Sequence, residues 1–127
     1  MLFFDTSAWV EYFIGSQKGS KINSILESER GKIVTPIIVL IELSCKSYKE
    51  NADFDVQQSF IKQNSIIMNL KEELVASIGK TYAEIRRKNK KISLSDAIII
   101  AMASEQKARI ITCDSDFRAA DNVNIIS

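Results

Sequence analysis

Five short apolar runs punctuate the chain, and segments with helical character lie between them. The runs are "MLFF" (1–4), "KIVT" (32–35), "SIIMNL" (65–70), "RIIT" (109–112) and "VNII" (123–126). Runs of this length are typical of buried strands. Strands that alternate with helices are joined by right-handed crossovers and form a mostly parallel sheet. The sequence therefore predicts an α/β fold, with a central sheet of about four to five strands and helices on both faces.

The segments between the runs predict the helices. "DTSAWVEYFIG" starts with capping residue types, and further helices are expected over 18–30, from Pro36 onward, and over 51–64, 71–90 and 94–107. Pro36, the only proline, is predicted at the first helical position behind a Thr35 cap. The segment 94–107 is apolar nearly all round, which indicates a buried helix. At 127 residues, the chain suits one domain spanning residues 1–127.

Composition excludes several kinds of chemistry. Histidine is absent, which removes nucleophilic mechanisms that need a histidine base and the H-E-x-x-H metalloproteases. Cys45 and Cys113 are isolated, so a zinc or disulfide site is not expected. The net charge of +1 does not by itself call for a nucleic-acid or membrane partner. No apolar run reaches the roughly 18 residues of a membrane span and no basic leader is present, which predicts a cytoplasmic protein.

One carboxylate interrupts the apolar stretch "VTPIIVLIELSCK" (34–46). This residue, Glu42, has no cation beside it until Lys46. A charge taken out of water without a partner is costly, so Glu42 needs a cation, a proton or access to solvent.

Other acids fall near the ends of predicted strands. Asp5 follows the first run, Asp114 and Asp116 follow "RIIT", and Asp96 lies in the first turn of the buried helix. Each has a structural alternative: a helix cap at Asp5, a capping box with Ser93 at Asp96, and turn residues after "RIIT". Because parallel sheets bind ligands beyond the carboxyl ends of their strands, the acids are expected to meet. Grouped carboxylates repel unless a divalent cation holds them, and oxygen ligands suit Mg²⁺ or Mn²⁺, which can activate water against a phosphodiester.

Four motifs resemble those of the PIN-domain ribonucleases, most closely the VapC-type toxins of prokaryotic toxin–antitoxin pairs. They are "FFDTSAWVEYF", "TPIIVLIELSCK", "ISLSDAIIIAMA" and "IITCDSDF", in the family's order and over essentially the whole chain. The resemblance implies an acidic quartet with one further acid: Asp5, Glu42, Asp96 and Asp114, with Asp116 beside them. Asp5 and Asp96 are implied as the nearest metal ligands, and whether Asp114 or Asp116 is the essential acid stays open.

Two further groups of residues are candidates around this site. The hydroxyl residues expected to orient water or ligands are Thr6, Ser7 and Thr112. The basic run "RRKNKK" (86–91) precedes the third motif, and its first three residues, Arg86, Arg87 and Lys88, could gather RNA phosphates. The alternative for this run is a solvated helix end favoured by the helix dipole.

The resemblance implies an endoribonuclease that uses metal-activated water and leaves a 5′-phosphate and a 3′-hydroxyl. It also implies a small antitoxin partner that fills or blocks the acidic site, and a homodimer. The alternatives are a housekeeping RNA-processing or DNA-directed PIN nuclease and an inactive PIN scaffold that only binds a partner. A phosphoacceptor receiver domain would need a lysine after a late strand, which "IITCDSDF" does not supply. The sequence names neither the RNA, nor the cut site, nor the antitoxin.

Overall fold

The structure, a computed structural model, describes residues 1–127 and is built on one five-stranded sheet. Its strands are β1 (Leu2–Phe4), β2 (Ile33–Pro36), β3 (Ile66–Met68), β4 (Arg109–Thr112) and β5 (Val123–Ile125). They lie in the order β3-β2-β1-β4-β5, and every neighbouring pair is parallel. The predicted α/β fold with a mostly parallel sheet is confirmed.

Six α-helices connect these strands: α1 (Thr6–Ile14), α2 (Gln17–Ser28), α3 (Ile37–Glu50), α4 (Phe54–Asn64), α5 (Val75–Lys88) and α6 (Leu94–Glu105). Short 3₁₀ helices add Glu72–Leu74 and Ser115–Ala119. The single helix predicted over 71–90 is therefore wrong in its first turn, which is 3₁₀, a tighter turn that is common at helix ends. None of these helices is both long enough and apolar enough to cross a membrane.

The prediction for Pro36 is wrong by one position. Pro36 ends β2 with an extended backbone, and α3 begins at Ile37 without a side-chain cap. Thr35 cannot cap the helix because it is buried in the strand and its hydroxyl is already used. That hydroxyl accepts a hydrogen bond from the Trp9 indole at 3.1 Å and shares another with Ser65 at 2.7 Å.

The core lies between the sheet and its helices and brings aromatic residues together under α1. Trp9 is fully buried, with its ring centroid 5.1 Å from that of Phe4 and 5.9 Å from that of Phe13. The predicted buried helix, α6, contributes Ile99, Met102 and other apolar residues to the same core. This close packing fixes the N-terminal ends of α1 and α6 where they meet the carboxyl edge of the sheet.

The strand order creates a switch point between β1 and β4. The chain proceeds outward from β1 to β2 and β3, then returns to place β4 on the other side of β1. The connections that leave β1 and β4 therefore run in opposite directions and open a crevice at their carboxyl ends. In parallel α/β sheets this switch point is the preferred place for a ligand.

Helices α1 and α2 approach closely at Gly19. A Cβ atom built there would overlap the backbone carbonyl of Glu11. We expect Gly19→Ala to lower the free energy of unfolding by about 1–3 kcal/mol, because backbone must move to make room. Gly79→Ala is the matched control, since Gly79 lies within exposed α5 with nothing near its Cβ position. That control should gain about 0.5–1 kcal/mol in urea unfolding. Equal effects of the two substitutions would contradict the close approach.

Candidate active site

Four of the predicted acids line one cleft at the carboxyl edge of the sheet. Asp5 directly follows β1, Asp114 follows β4, Glu42 lies in the second turn of α3, and Asp96 lies in the first turn of α6. The cleft has a volume of about 300 Å³ and opens at the switch point between β1 and β4. Residues that are up to 109 positions apart in the chain are thus brought to one place by the parallel sheet.

Asp5 forms the floor of the cleft and is only 3% exposed. It caps α1, because its Oδ1 accepts a hydrogen bond from the Ala8 amide at 2.9 Å. Burial raises the pKa of Asp5 from 3.8 to about 7, although hydrogen bonds from Thr112, Ala8 and Ser7 act in the opposite direction, and the charge of Asp96 adds to the rise. The helix-cap alternative is therefore correct as geometry, and the capping carboxylate also faces the cleft.

Ser7 and Thr112 hold Asp5 from two sides. Thr112 Oγ1 donates to Asp5 Oδ2 at 2.5 Å and accepts from the Asp114 amide at 3.0 Å. Ser7 Oγ donates to Asp5 Oδ1 at 2.8 Å and accepts from the Cys113 amide at 2.9 Å. The two hydroxyls lie 3.1 Å apart, so they join the start of α1 to the loop after β4. Their positions fix the orientation of the Asp5 carboxylate.

Glu42 has no cationic partner within the protein. The ion pairs are Lys32 with Glu29 and Lys46 with Glu50. Instead, Thr6 Oγ1 donates to Glu42 Oε1 at 2.7 Å, and the carboxylate faces the cleft. Burial raises the pKa of Glu42, the Thr6 and Ser95 hydroxyls lower it, and the charge of Asp96 raises it further. The sequence required a cation, a proton or access to solvent for Glu42. The structure gives this carboxylate access to the open cleft and, in addition, a hydrogen bond from the Thr6 hydroxyl.

Asp96 both caps its helix and lines the cleft. It forms the predicted capping box, in which the Ser93 amide donates to Asp96 Oδ2 at 3.1 Å and the Asp96 amide donates to Ser93 Oγ at 3.1 Å. The hydrogen bond from the amide uses one carboxylate oxygen, Oδ2, so the cap does not require Oδ1. Burial raises the pKa of Asp96, with Asp114 and Asp116 adding to the rise and Ser93 opposing it.

The two acids after β4 differ in position. Asp114 lines the cleft, while Asp116 lies one turn beyond it. Asp114 Oδ1 accepts from the Asp116 amide at 2.9 Å, and the Asp116 carbonyl accepts from Asn89 Nδ2 at 2.8 Å. Because the charge of Asp116 still raises the pKa of Asp96, it lies near the site without forming its wall.

The predicted RNA-binding residues lie away from the cleft wall. Arg86, Arg87 and Lys88 are exposed in the last turn of α5, and none of them lines the cleft. Arg86 donates to the Tyr82 hydroxyl at 2.6 Å and to the Ile92 carbonyl at 3.3 Å. Arg86 thus has a structural task, whereas the structure assigns no contact to the charges of Arg87 and Lys88.

One cation lies in the acidic cleft, and it is not among the residues that the sequence predicts for the site. Lys46 lines the cleft from α3, one turn beyond Glu42. The spacing of four residues between them is a signal in the sequence, since side chains four apart share a helix face.

The donor set is that of a hard cation with incomplete protein ligation. No three acids or cysteines converge closely enough to hold a metal ion by themselves. Mg²⁺ is commonly held by one or two carboxylates, with waters and substrate phosphates completing its shell. Three carboxylates whose pKa values are raised line this cleft, and only oxygen ligands are present. These residues fit a hydrated Mg²⁺ or Mn²⁺ ion better than a closed metal site.

Fold and site together define a parallel α/β protein with a histidine-free carboxylate cleft at the switch point of its sheet. The chain belongs to the PIN domain family, whose model matches residues 2–123.

Known relatives of the chain include VapC proteins. The chain is 28% identical over 120 residues to a VapC ribonuclease of Mycobacterium bovis, covering 92% of this chain and 89% of the relative. The same values hold for ribonuclease VapC11 of Mycobacterium tuberculosis. These two relatives are thus similar along nearly their whole length.

Solved structures share the fold. Mycobacterium tuberculosis VapC20, described as a sarcin–ricin loop cleaving toxin, has a TM-score of 0.78 at 17% identity, with 100% of both chains covered. A chain of a toxin–antitoxin complex from Klebsiella pneumoniae has a TM-score of 0.73 at 21% identity, covering 100% of this chain and 98% of the other. At these identities the likeness establishes the fold.

Proposed function

We propose that the protein is an endoribonuclease that hydrolyses RNA phosphodiester bonds and acts as the toxin of a toxin–antitoxin pair. The observation that carries the proposal is the meeting of Asp5, Glu42, Asp96 and Asp114 in one cleft of a protein without histidine. Acid–base chemistry on phosphodiesters then falls to carboxylates and a bound cation. The relatives named VapC ribonuclease support RNA as the substrate.

In this proposal Asp5 and Asp96 hold the metal ion, and Glu42 and Asp114 complete the acidic wall. When bound, Mg²⁺ or Mn²⁺ supplies an activated water and neutralises charge on the phosphate. Thr112 and Ser7 orient the Asp5 carboxylate through its two oxygens. Because burial raises its pKa, Glu42 is a better proton acceptor at Oε than an exposed glutamate.

The partners follow from the same cleft and from the surface. An antitoxin that covers the site would present a cationic side chain to its carboxylates.

A homodimer is supported by the exposed face of α3, where Ile41 is 51% exposed and Tyr48 is 69% exposed. These two side chains lie seven residues apart on one helix face, as helix-packing residues do. The proposed RNA substrate supports the cytoplasmic location predicted from the sequence.

Metal dependence is the first test of this function. We expect the purified protein to degrade total RNA in Mg²⁺ or Mn²⁺ and to lose that activity in excess chelator, because the carboxylates alone supply no nucleophile. Readdition of the metal should restore cleavage, as followed by gel electrophoresis. Cleavage that persists in chelator would contradict the mechanism, and a Glu42→Gln preparation made in parallel controls for a contaminating nuclease.

A further inference from the structure

Lys46 is the single cation among the side chains that line the acidic cleft. Its side chain is 44% exposed, so the ammonium group reaches solvent at the rim. Lys46 and Val10 also line a neighbouring cavity of about 250 Å³, whose walls include Phe13 and Leu43. The cleft and this cavity therefore meet at Lys46, and a bound chain that leaves the cleft in this direction passes the ammonium group.

Two glutamates on the same helix could form an ion pair with Lys46, so the one that does is informative. Glu42 lies four residues before Lys46 and Glu50 lies four residues after it. In isolated helices the pair with the acid first is the better one. The structure shows the other pair, with Lys46 Nζ 2.8 Å from Glu50 Oε1.

The choice of partner keeps the cleft acid and the lysine apart. Thr6 Oγ1 donates to Glu42 Oε1 at 2.7 Å, which satisfies Glu42 without a cation. Glu50 holds the ammonium group on the side away from Glu42 and is itself 53% exposed. Ion pairs of this exposure are weak, so Lys46 can leave Glu50 for a stronger anion at little cost.

We propose that Lys46 leaves Glu50 to bind a phosphate of the RNA strand next to the scissile one. The inference rests on the proposed function. Four carboxylates repel a polyanion, and one ammonium group at the rim offsets that repulsion where the strand enters. An ammonium group with three donors suits a phosphate that can approach from several directions.

Binding of a labelled RNA made of 12 uridines tests the contact, since phosphate contacts are independent of sequence. Fluorescence anisotropy is measured across salt concentrations with Ca²⁺, a larger hard cation, in place of Mg²⁺, and gel electrophoresis checks that the RNA stays intact. We expect Lys46→Gln to weaken binding about fivefold at 0.1 M salt and to reduce the slope of log K against log salt by about 0.7, as one lost phosphate contact predicts. Lys46→Arg should retain most of the affinity and slope.

Two control variants lie on the same helix. Lys49→Gln removes an exposed charge that does not line the cleft, so it should change neither affinity nor slope. Glu50→Gln releases Lys46 and should leave binding equal or tighter. If Lys46→Gln and Lys49→Gln behave alike, or if the wild type does not bind this RNA, the inference is overturned.

A purely electrostatic role for Lys46 gives a different result. If Lys46 only balances the acids, Lys46→Gln should bind Mn²⁺ more tightly while its RNA salt dependence stays that of the wild type, which also overturns the inference. The effect on catalysis should appear in KM, with kcat nearly unchanged. Failure of the proposed function is separate: the wild type would then cleave no RNA in any metal, although the binding comparison could still be made.

Discussion

Glu42→Gln is expected to reduce RNA turnover by about 10²–10³-fold while the fold stays intact. A loss of rate of this size is typical when one group that stabilises charge at a reaction centre is removed. Glutamine is nearly the same size and keeps an oxygen that can accept the Thr6 hydrogen bond. Because burial raises the pKa of Glu42, removal of the charge should not lower the free energy of unfolding in chelator.

The measurement pairs single-turnover RNA cleavage in Mg²⁺ with thermal unfolding in chelator. Glu27→Gln, an exposed substitution on α2, is the matched control and should leave both unchanged. Two results would return Glu42 to a structural role: cleavage close to that of the wild type, or a lost fold that accounts for the lost activity.

The Glu42 motif shows what a sequence can supply. An acid within an apolar segment indicates that the charge has a use, since burying it without one is costly. The sequence cannot say which partner satisfies it, because Thr6 is 36 residues away and meets Glu42 only after β1 and β2 pair. Local pattern thus identifies the residue, and the sheet decides its neighbours.

Asp96 shows that two readings of one residue can both describe it. The S-x-x-D pattern predicts a capping box from four consecutive residues, and the structure contains it. The place of Asp96 in the cleft depends on α6 lying beside β4, which is long-range information. The helix cap and a place in the cleft are therefore compatible, because the cap uses only Oδ2 of the Asp96 carboxylate.

Position in the sequence and position in the fold differ for two groups of positive charges, while RNA binding by the first group stays a prediction. "RRKNKK" adjoins the third motif in the chain, yet Arg86, Arg87 and Lys88 end a helix outside the cleft wall. In the sequence, Lys46 lies four residues from both Glu42 and Glu50, a spacing that is typical of an ordinary ion pair on a helix surface. The fold places it at the site because the helix face that carries Glu42 also carries Lys46.

Asp5→Asn is expected to remove the contribution of Asp5 to the pH dependence of stability in chelator, while those of Glu42 and Asp96 remain. The pKa of Asp5 is raised by burial from 3.8 to about 7. Between these values the folded protein holds a proton at Asp5 that the unfolded chain has lost, so the contribution of Asp5 to stability is fully present below pH 3.8 and is lost as the pH rises through about 7. Asparagine does not titrate, so the variant lacks this loss. The stability difference between the two proteins should change by up to about 4 kcal/mol from pH 4 to pH 8.

Metal reverses the comparison, because a cation bound at Asp5 favours the ionised carboxylate. Mg²⁺ at pH 8 should raise the wild-type unfolding free energy by RT ln(1 + [L]/Kd) and leave Asp5→Asn nearly unchanged. Urea unfolding at several pH values, with chelator or Mg²⁺, measures both effects. Asp121→Asn, on an exposed loop residue, should keep the wild-type profile. Parallel pH profiles for wild type and Asp5→Asn in chelator would show that Asp5 is ionised throughout in the folded protein, and an equal gain from Mg²⁺ in both would remove Asp5 from the metal site.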